Sequence, residues 1–242
     1  MYLYLLLNLG SVSIPLLYSF NKKMQFIKQW KTVLLSIFIV AFFFIIWDII
    51  FTSEGIWGFN ESYHLPYVIF GLPVEEILFF FCIPYASIFI HYSLEYFKPS
   101  MLLSEKITKF ITGFLMLMLV FVLVLNANKW YTLVNYTLLI FSLLLGLFFG
   151  LQLLRRFYIA FLIILIPFFI VNGILTGSFI AEPIVWYNNA ENLGIRLFTI
   201  PIEDIGYAFS MLFLVVFLND KFKKSKLSPA RIKLYSNLLI GF

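Results

Sequence analysis

Charge is what this 242-residue chain has least of: Asp, Glu, Lys and Arg make up 12% of it, against about 25% in an ordinary globular protein. A single cysteine, Cys82, leaves no internal disulfide and no thiolate cluster, and two histidines, His64 and His91, are too few for a histidine-based metal site. There is no Gly-x-Gly-x-x-Gly dinucleotide fingerprint. What remains for chemistry is carboxylates, aromatic rings and backbone. What is abundant is apolar: hydrophobic residues reach 62% and aromatics 21%, and the mean hydropathy is +0.99. A soluble fold of this length could not bury so much apolar surface, which sets aside disorder, nucleic-acid binding and a cytosolic enzyme. The composition is that of an integral membrane protein.

Apolar runs long enough to cross about 30 Å of hydrocarbon occur at Tyr2–Phe20, Val33–Phe51, Leu65–Ile90, Ile107–Leu125, Tyr131–Leu151, Phe157–Leu175 and Phe198–Leu218. The first lacks a basic segment before it and is followed by Lys22, Lys23, Lys28 and Lys31, so it reads as a membrane helix and not a cleaved signal peptide. Seven spans put 15 of the 17 basic residues on one side, leaving Lys129 and Arg196 opposite. By the positive-inside rule the N-terminus is expected outside and the C-terminus in the cytoplasm, with the basic tail Lys221–Lys233 touching anionic lipid headgroups. The expected location is the cytoplasmic membrane, as a multi-pass protein.

The chain also repeats itself. Ile69-Phe70-Gly71-Leu72-Pro73-Val74-Glu75-Glu76-Ile77 aligns without gaps on Leu197-Phe198-Thr199-Ile200-Pro201-Ile202-Glu203-Asp204-Ile205, and upstream Asp48…Thr52 aligns on Asn172…Thr176. Two three-helix repeats in parallel orientation need one extra crossing between them, so the expected fold is all-α with a 3+1+3 arrangement of seven transmembrane helices. Its expected parts are residues 1–97 and 131–220 as repeats, 98–130 as the linker helix and 221–242 as a cytoplasmic tail. A pseudo-two-fold axis along the membrane normal would bring the two motifs to one cavity.

Proline before two acids suits a helix start, where carboxylates complement the helix dipole. Depth argues for more. After Asp204 only Ile205–Leu218 remain apolar, about 21 Å of helix at 1.5 Å per residue, too short for a crossing. The segments before the acids must then lie in the membrane, and acids at that depth face a protein cavity and are functional by default. Asp48 and Asn172, near the outer ends of spans 2 and 6, are placed to hydrogen-bond to them or to act as polar glue between helices. Thr52 and Thr176 read as helix-end caps. Arg196 is a candidate counter-ion for Glu203 or Asp204, with surface placement as the alternative. Trp57 and Trp186 fit an outer aromatic belt, His64 and His91 read as interfacial, and Cys82 as packing. A cavity combining aromatic faces with protonatable carboxylates suits the stabilisation of a carbocation.

The paired motifs Pro73-Val74-Glu75-Glu76 and Pro201-Ile202-Glu203-Asp204, with Asp48…Thr52…Gly55-Ile56-Trp57 and Asn172…Leu175-Thr176, resemble those of the small integral-membrane lycopene cyclases over nearly the whole chain. In some bacteria that family occurs as two subunits; here both halves lie in one chain. The resemblance implies conversion of the linear ends of lycopene to β-ionone rings, giving γ- or β-carotene with no net redox change. One acid protonates the terminal double bond, the internal double bond attacks the cation, and a base removes a proton. It implies no flavin or nicotinamide cofactor, and an apolar polyene, the bilayer and other carotenoid enzymes as partners. Glu75 and Glu203, identical between halves, are the expected lead proton donors, with Glu76 and Asp204 sharing or removing a proton. The substrate-binding and supporting residues expected around them are Asp48, Asn172, Thr52, Thr176, Pro73, Pro201, Arg196, Trp57 and Trp186. The competing expectations are a proton-coupled carrier of small solutes, a structural partner in a carotenoid-enzyme assembly, and a cyclase acting on an extended C50 carotenoid.

Overall fold

In hydrocarbon every backbone N–H and C=O must be satisfied within the chain, and the long Leu, Ile, Val and Phe runs accordingly form helices. A computed structural model describes residues 2–239, with side-chain surroundings described for residues 2–225. Its helices are α1 (Leu3–Tyr18), α2 (Trp30–Ser53), α3 (Val74–Phe97), α4 (Glu105–Leu125), α5 (Trp130–Phe149), α6 (Leu151–Leu175) and α7 (Glu203–Leu239). A 3-10 turn, Phe26–Gln29, leads into α2. Ser104 caps α4 by accepting from the Ile107 N–H at 3.2 Å, and Gly150 separates α5 from α6.

Among the described residues, six of the seven helices are long and apolar enough to cross a membrane, making this a multi-pass membrane protein. The exception is α1, which at 16 residues extends about 24 Å. Two expected spans are corrected. The third helix begins at Val74 and not at Leu65, and the seventh at Glu203 and not at Phe198. The residues before them form short hairpins instead: β2 (Val68–Ile69) with β3 (Leu72–Pro73), and β5 (Arg196–Leu197) with β6 (Ile200–Pro201). Turn chemistry decides this. Phe70 and Gly71 both adopt positive φ, 53° and 85°, the requirement of a tight two-residue hairpin, and Phe198 repeats it at 58°. Both phenylalanines point outward, 80% and 87% exposed. With exposed Tyr67, Val68 and Ile195 beside them, the hairpins present surfaces suited to lipid, so irregular backbone here is satisfied by its own ladder. The seventh helix also continues past Leu218 through the expected tail; residues 240–242 and the side chains of Lys226, Arg231 and Lys233 lie outside the described residues.

Helix α1 packs against α3 and α5 against α7, while α2 packs against α7 and α6 against α3, so each half's second helix leans on the other half's third. Helix α4 lies against α5 and α6. The halves are also joined by an antiparallel pair, β1 (Trp57–Phe59) with β4 (Val185–Tyr187), in which Gly58 faces Trp186. Beside it the Asn60 N–H donates to the Ile184 carbonyl and the Asn188 N–H to the Ile56 carbonyl, both at 2.9 Å. Each of these bonds becomes the other when 128 is added to one set of numbers, as a two-fold axis requires. The main apolar core runs through α2, α3, α6 and α7 and includes Val33, Phe80, Ile88, Phe157, Phe213 and Val216. His64 and His91 are both buried in the protein: the His64 ring bonds the Leu65 carbonyl at 2.6 Å, and His91 lies against Tyr92 and Phe157.

Candidate active site

Each Pro-x-acid-acid motif starts a helix, with Pro73 and Pro201 ending β3 and β6 and both acids in the first turn that follows. On a helix two adjacent side chains diverge by about 100°, and here they go to different places. The first acid of each pair turns back to the loop. Glu75 Oε1 accepts from the Leu65 N–H at 2.7 Å, and Glu203 Oε1 from the Leu193 N–H at 2.8 Å. Their backbone carbonyls accept from the Asn8 and Asn135 side-chain amides at 2.8 and 2.9 Å. Glu203 gains a further donor, Thr132 Oγ1 at 2.7 Å, where the first half has Leu5. Both glutamates are fully buried, and among the described residues neither Oε2 has a hydrogen-bond partner, nor do Asn8 Oδ1 and Asn135 Oδ1.

The second acid of each pair faces inward. Glu76 and Asp204 line a cavity of about 650 Å³, within the ~300–1,000 Å³ of small-molecule sites. Tyr4 donates its hydroxyl to Glu76, and Tyr131 donates to Asp204 at 2.5 Å. Asp204 also accepts from the Tyr187 hydroxyl at 3.0 Å. Burial, and then the Asp204 carboxylate, push the Tyr187 phenol well above its ordinary range, so it remains a neutral donor. Asp48 lines the same cavity beside Glu76, held by the Trp57 indole N–H at 2.5 Å and by Thr52 Oγ1 at 3.4 Å. Apart from Ser11, Ser87, Asn172 and Thr176 the remaining wall is apolar or aromatic, with Phe79, Tyr207, Phe168, Met211 and Leu212 among its residues.

The structure thus brings Asp48, Glu76, Asp204, Trp57, Asn172 and Thr176 to one chamber and leaves Glu75, Glu203, Pro73 and Pro201 behind its wall. Thr176 bonds the Asn172 carbonyl and the Thr199 hydroxyl, at 2.8 and 2.7 Å, and acts as a helix-end clamp. Arg196 engages neither motif acid: its guanidinium donates to the Thr199 carbonyl at 2.6 Å and to Asn189 Oδ1 at 2.9 Å, over the Tyr187 ring. Trp186 covers Gly58, outside the cavity lining. Trp57 is buried, not a member of an interfacial belt.

Sequence reasoning missed the tyrosines, though a signal was there. Tyr4-x-Leu6-x-Asn8 recurs as Tyr131-x-Leu133-x-Asn135 in α1 and α5, so extending the repeat one helix upstream finds both hydroxyl donors and both amide clamps. Among the described residues no group of three or more His, Cys, Asp or Glu could hold a metal ion.

A multi-pass helical membrane protein with an apolar, aromatic-walled chamber and three buried carboxyl groups is built to handle an apolar molecule with acid–base chemistry. A family model described as lycopene cyclase matches residues 1–94 and 128–222, and the chain belongs to that family. It is a carotenoid cyclase with a lycopene-type apolar substrate. No curated protein and no solved structure matches it.

Proposed function

We propose that this chain forms β-ionone rings at the linear ends of lycopene, giving γ- and then β-carotene, and that Glu76, Asp48 and Asp204 carry the chemistry. The observation that carries the reading is one chamber holding carboxyl groups from both halves among aromatic faces. A protonated carboxyl of the Asp48–Glu76 pair delivers its proton to the terminal double bond. The tertiary cation is attacked by the internal double bond, closing the six-membered ring and moving the charge inward. Loss of the adjacent ring proton to the Asp204 carboxylate gives the β ring. One proton enters and one leaves, so substrate and product are isomers and no redox cofactor takes part. The faces of Tyr4, Phe79, Trp57 and Tyr207 stabilise the passing cation.

In this reading Glu75 and Glu203 have a different task from the one their identity between halves implied: they fasten the loops before α3 and α7 over the chamber. The chamber opens where Leu6, Gly10 and Ile14 of α1 meet Pro167 and Ile170 of α6, all outward-facing. An opening onto a lipid-facing flank supports a substrate dissolved in the bilayer over a water-borne solute. Residues 1–97 and 131–220 act as the two repeats joined by the 98–130 linker, in the cytoplasmic membrane with the N-terminus outside.

The test is expression in a bacterial host that accumulates lycopene, with pigments separated by chromatography. Wild type converts lycopene to β-carotene, while Glu76→Gln, inserted at normal levels, leaves lycopene untouched. Full cyclisation by Glu76→Gln and Asp204→Asn together would overturn the assignment.

A further inference from the structure

The two halves carry equivalent side-chain clusters. Around Tyr4 stand Leu7, Phe79, Val171, Leu175 and Ile184; around Tyr131 stand Val134, Tyr207, Trp47, Phe51 and Ile56. By the offsets of the repeat each residue of one set is the counterpart of one in the other. The difference lies in volume. Val171 lines the open chamber between α1 and α6. Its counterpart Trp47 does not line it; the indole packs on Tyr207 at 4.9 Å, on Phe44 and Phe51 at 5.5 Å, and on Trp57 at 6.2 Å between ring centroids. Phe44 closes on Tyr207 from the same side at 5.0 Å. The space between α2 and α5, the counterpart of the α1–α6 side of the chamber, is filled with rings, Trp47 and Phe51 of α2 standing with Tyr131 of α5.

We infer that Trp47 makes the enzyme one-chambered, and that both motifs serve a single reaction chamber entered between α1 and α6. This rests on the cyclase reading and deepens it. The acid pair Asp48–Glu76 and the lone Asp204 act on the same substrate end, and the two ends of a symmetric polyene are processed in turn. After the first ring forms, the monocyclic product withdraws through the α1–α6 opening and re-enters with its other end.

The experiment measures initial rates in membranes with lycopene and, separately, with a monocyclic carotene as substrate. Val171→Trp places in the open half the side chain that fills the closed one. The expected result is a fall of ~10-fold or more on both substrates by the same factor, with protein in the membrane at wild-type level. Two working chambers would lose no more than about half their rate when one is blocked, and that result overturns the inference. Gly10→Leu gives an independent obstruction of the same opening, since a Cβ there meets nothing within 4 Å, and it keeps the test decisive if Val171→Trp fails to accumulate. A purified wild-type protein that holds two polyenes per chain also contradicts a single chamber. Absence of any cyclised product from the wild type would instead overturn the cyclase reading, and this inference with it.

Discussion

The two halves of the molecule share a hydrogen-bond skeleton and differ in what fills it. In both, a tyrosine of the first helix reaches the second motif acid, an asparagine four residues on clamps the carbonyl of the first, and that first acid ties down the preceding loop. The skeleton is polar and buried, where a missing partner costs about 1–3 kcal/mol, so it tolerates little change. The packing around it is apolar, and apolar volume can be redistributed as long as it is filled. One half therefore keeps aliphatic Val171 beside an open chamber while the other is plugged at the same position by the rings around Trp47. The acids differ likewise: the first half offers Asp48 beside Glu76, the second has Asn172 where Asp48 stands and compensates Asp204 with two tyrosine hydroxyls.

The sharpest way to break this comparison is to remove the acid of the first half. Glu76→Gln should lower the initial cyclisation rate by ~10²–10⁴-fold, the usual weight of a general acid, and a rate within a factor of a few of wild type would assign protonation elsewhere. Next in size is the loss of the hydroxyl donors. Tyr4→Phe strips Glu76 of its tyrosine and leaves a buried carboxyl oxygen without that donor, a loss of about 1–3 kcal/mol, so a drop of about ten-fold is expected. Tyr131→Phe leaves Asp204 its Tyr187 donor and should cost only a few-fold; equal effects would erase the difference between the halves.

A stability comparison follows. A Cβ on Gly58 would stand 2.3 Å from the Trp186 ring, so Gly58→Ala should lower thermal stability by about 1–3 kcal/mol, the usual cost of overpacking. Trp186→Ala in the same chain should restore most of it, and no recovery would mean that Gly58 is needed for its backbone alone. The smallest effect is expected of Thr132→Val, which removes the extra donor of Glu203 at about 1 kcal/mol; in a thermal melt it should leave Glu203 held as Glu75 is, by one backbone N–H.

Much of this was legible before any coordinate. The multi-pass helical class and the paired acid motifs are written in long-range patterns, hydropathy over about 20 residues and self-alignment over 128, which survive local irregularity. What could not be read was which way each acid points. Glu75 and Glu76 are neighbours in the chain, and their opposite fates follow from the hairpin ahead of them, whose turn holds Phe70 at positive φ against the residue's own preference. Apolar Leu65–Pro73 looked like the first half of a span for the same reason: hydropathy reports depth in lipid and is blind to whether the backbone there is helix or ladder. The role of Trp47 was hidden too, because one Trp among five in an aromatic-rich chain carries no mark until its counterpart, Val171, is seen beside a void.

The seam between β1 and β4 limits how such a molecule can be assembled. Its register brings Gly58 opposite Trp186, and the indole lies where any side chain on Gly58 would be. Two identical halves meeting there would have to offer two tryptophans or two glycines, one crowded and the other hollow. The joint as it stands can close only between unlike partners. A self-paired copy of either half is thereby disfavoured, and the pairing of first half with second is favoured at the strand itself, whether or not a linker helix connects them.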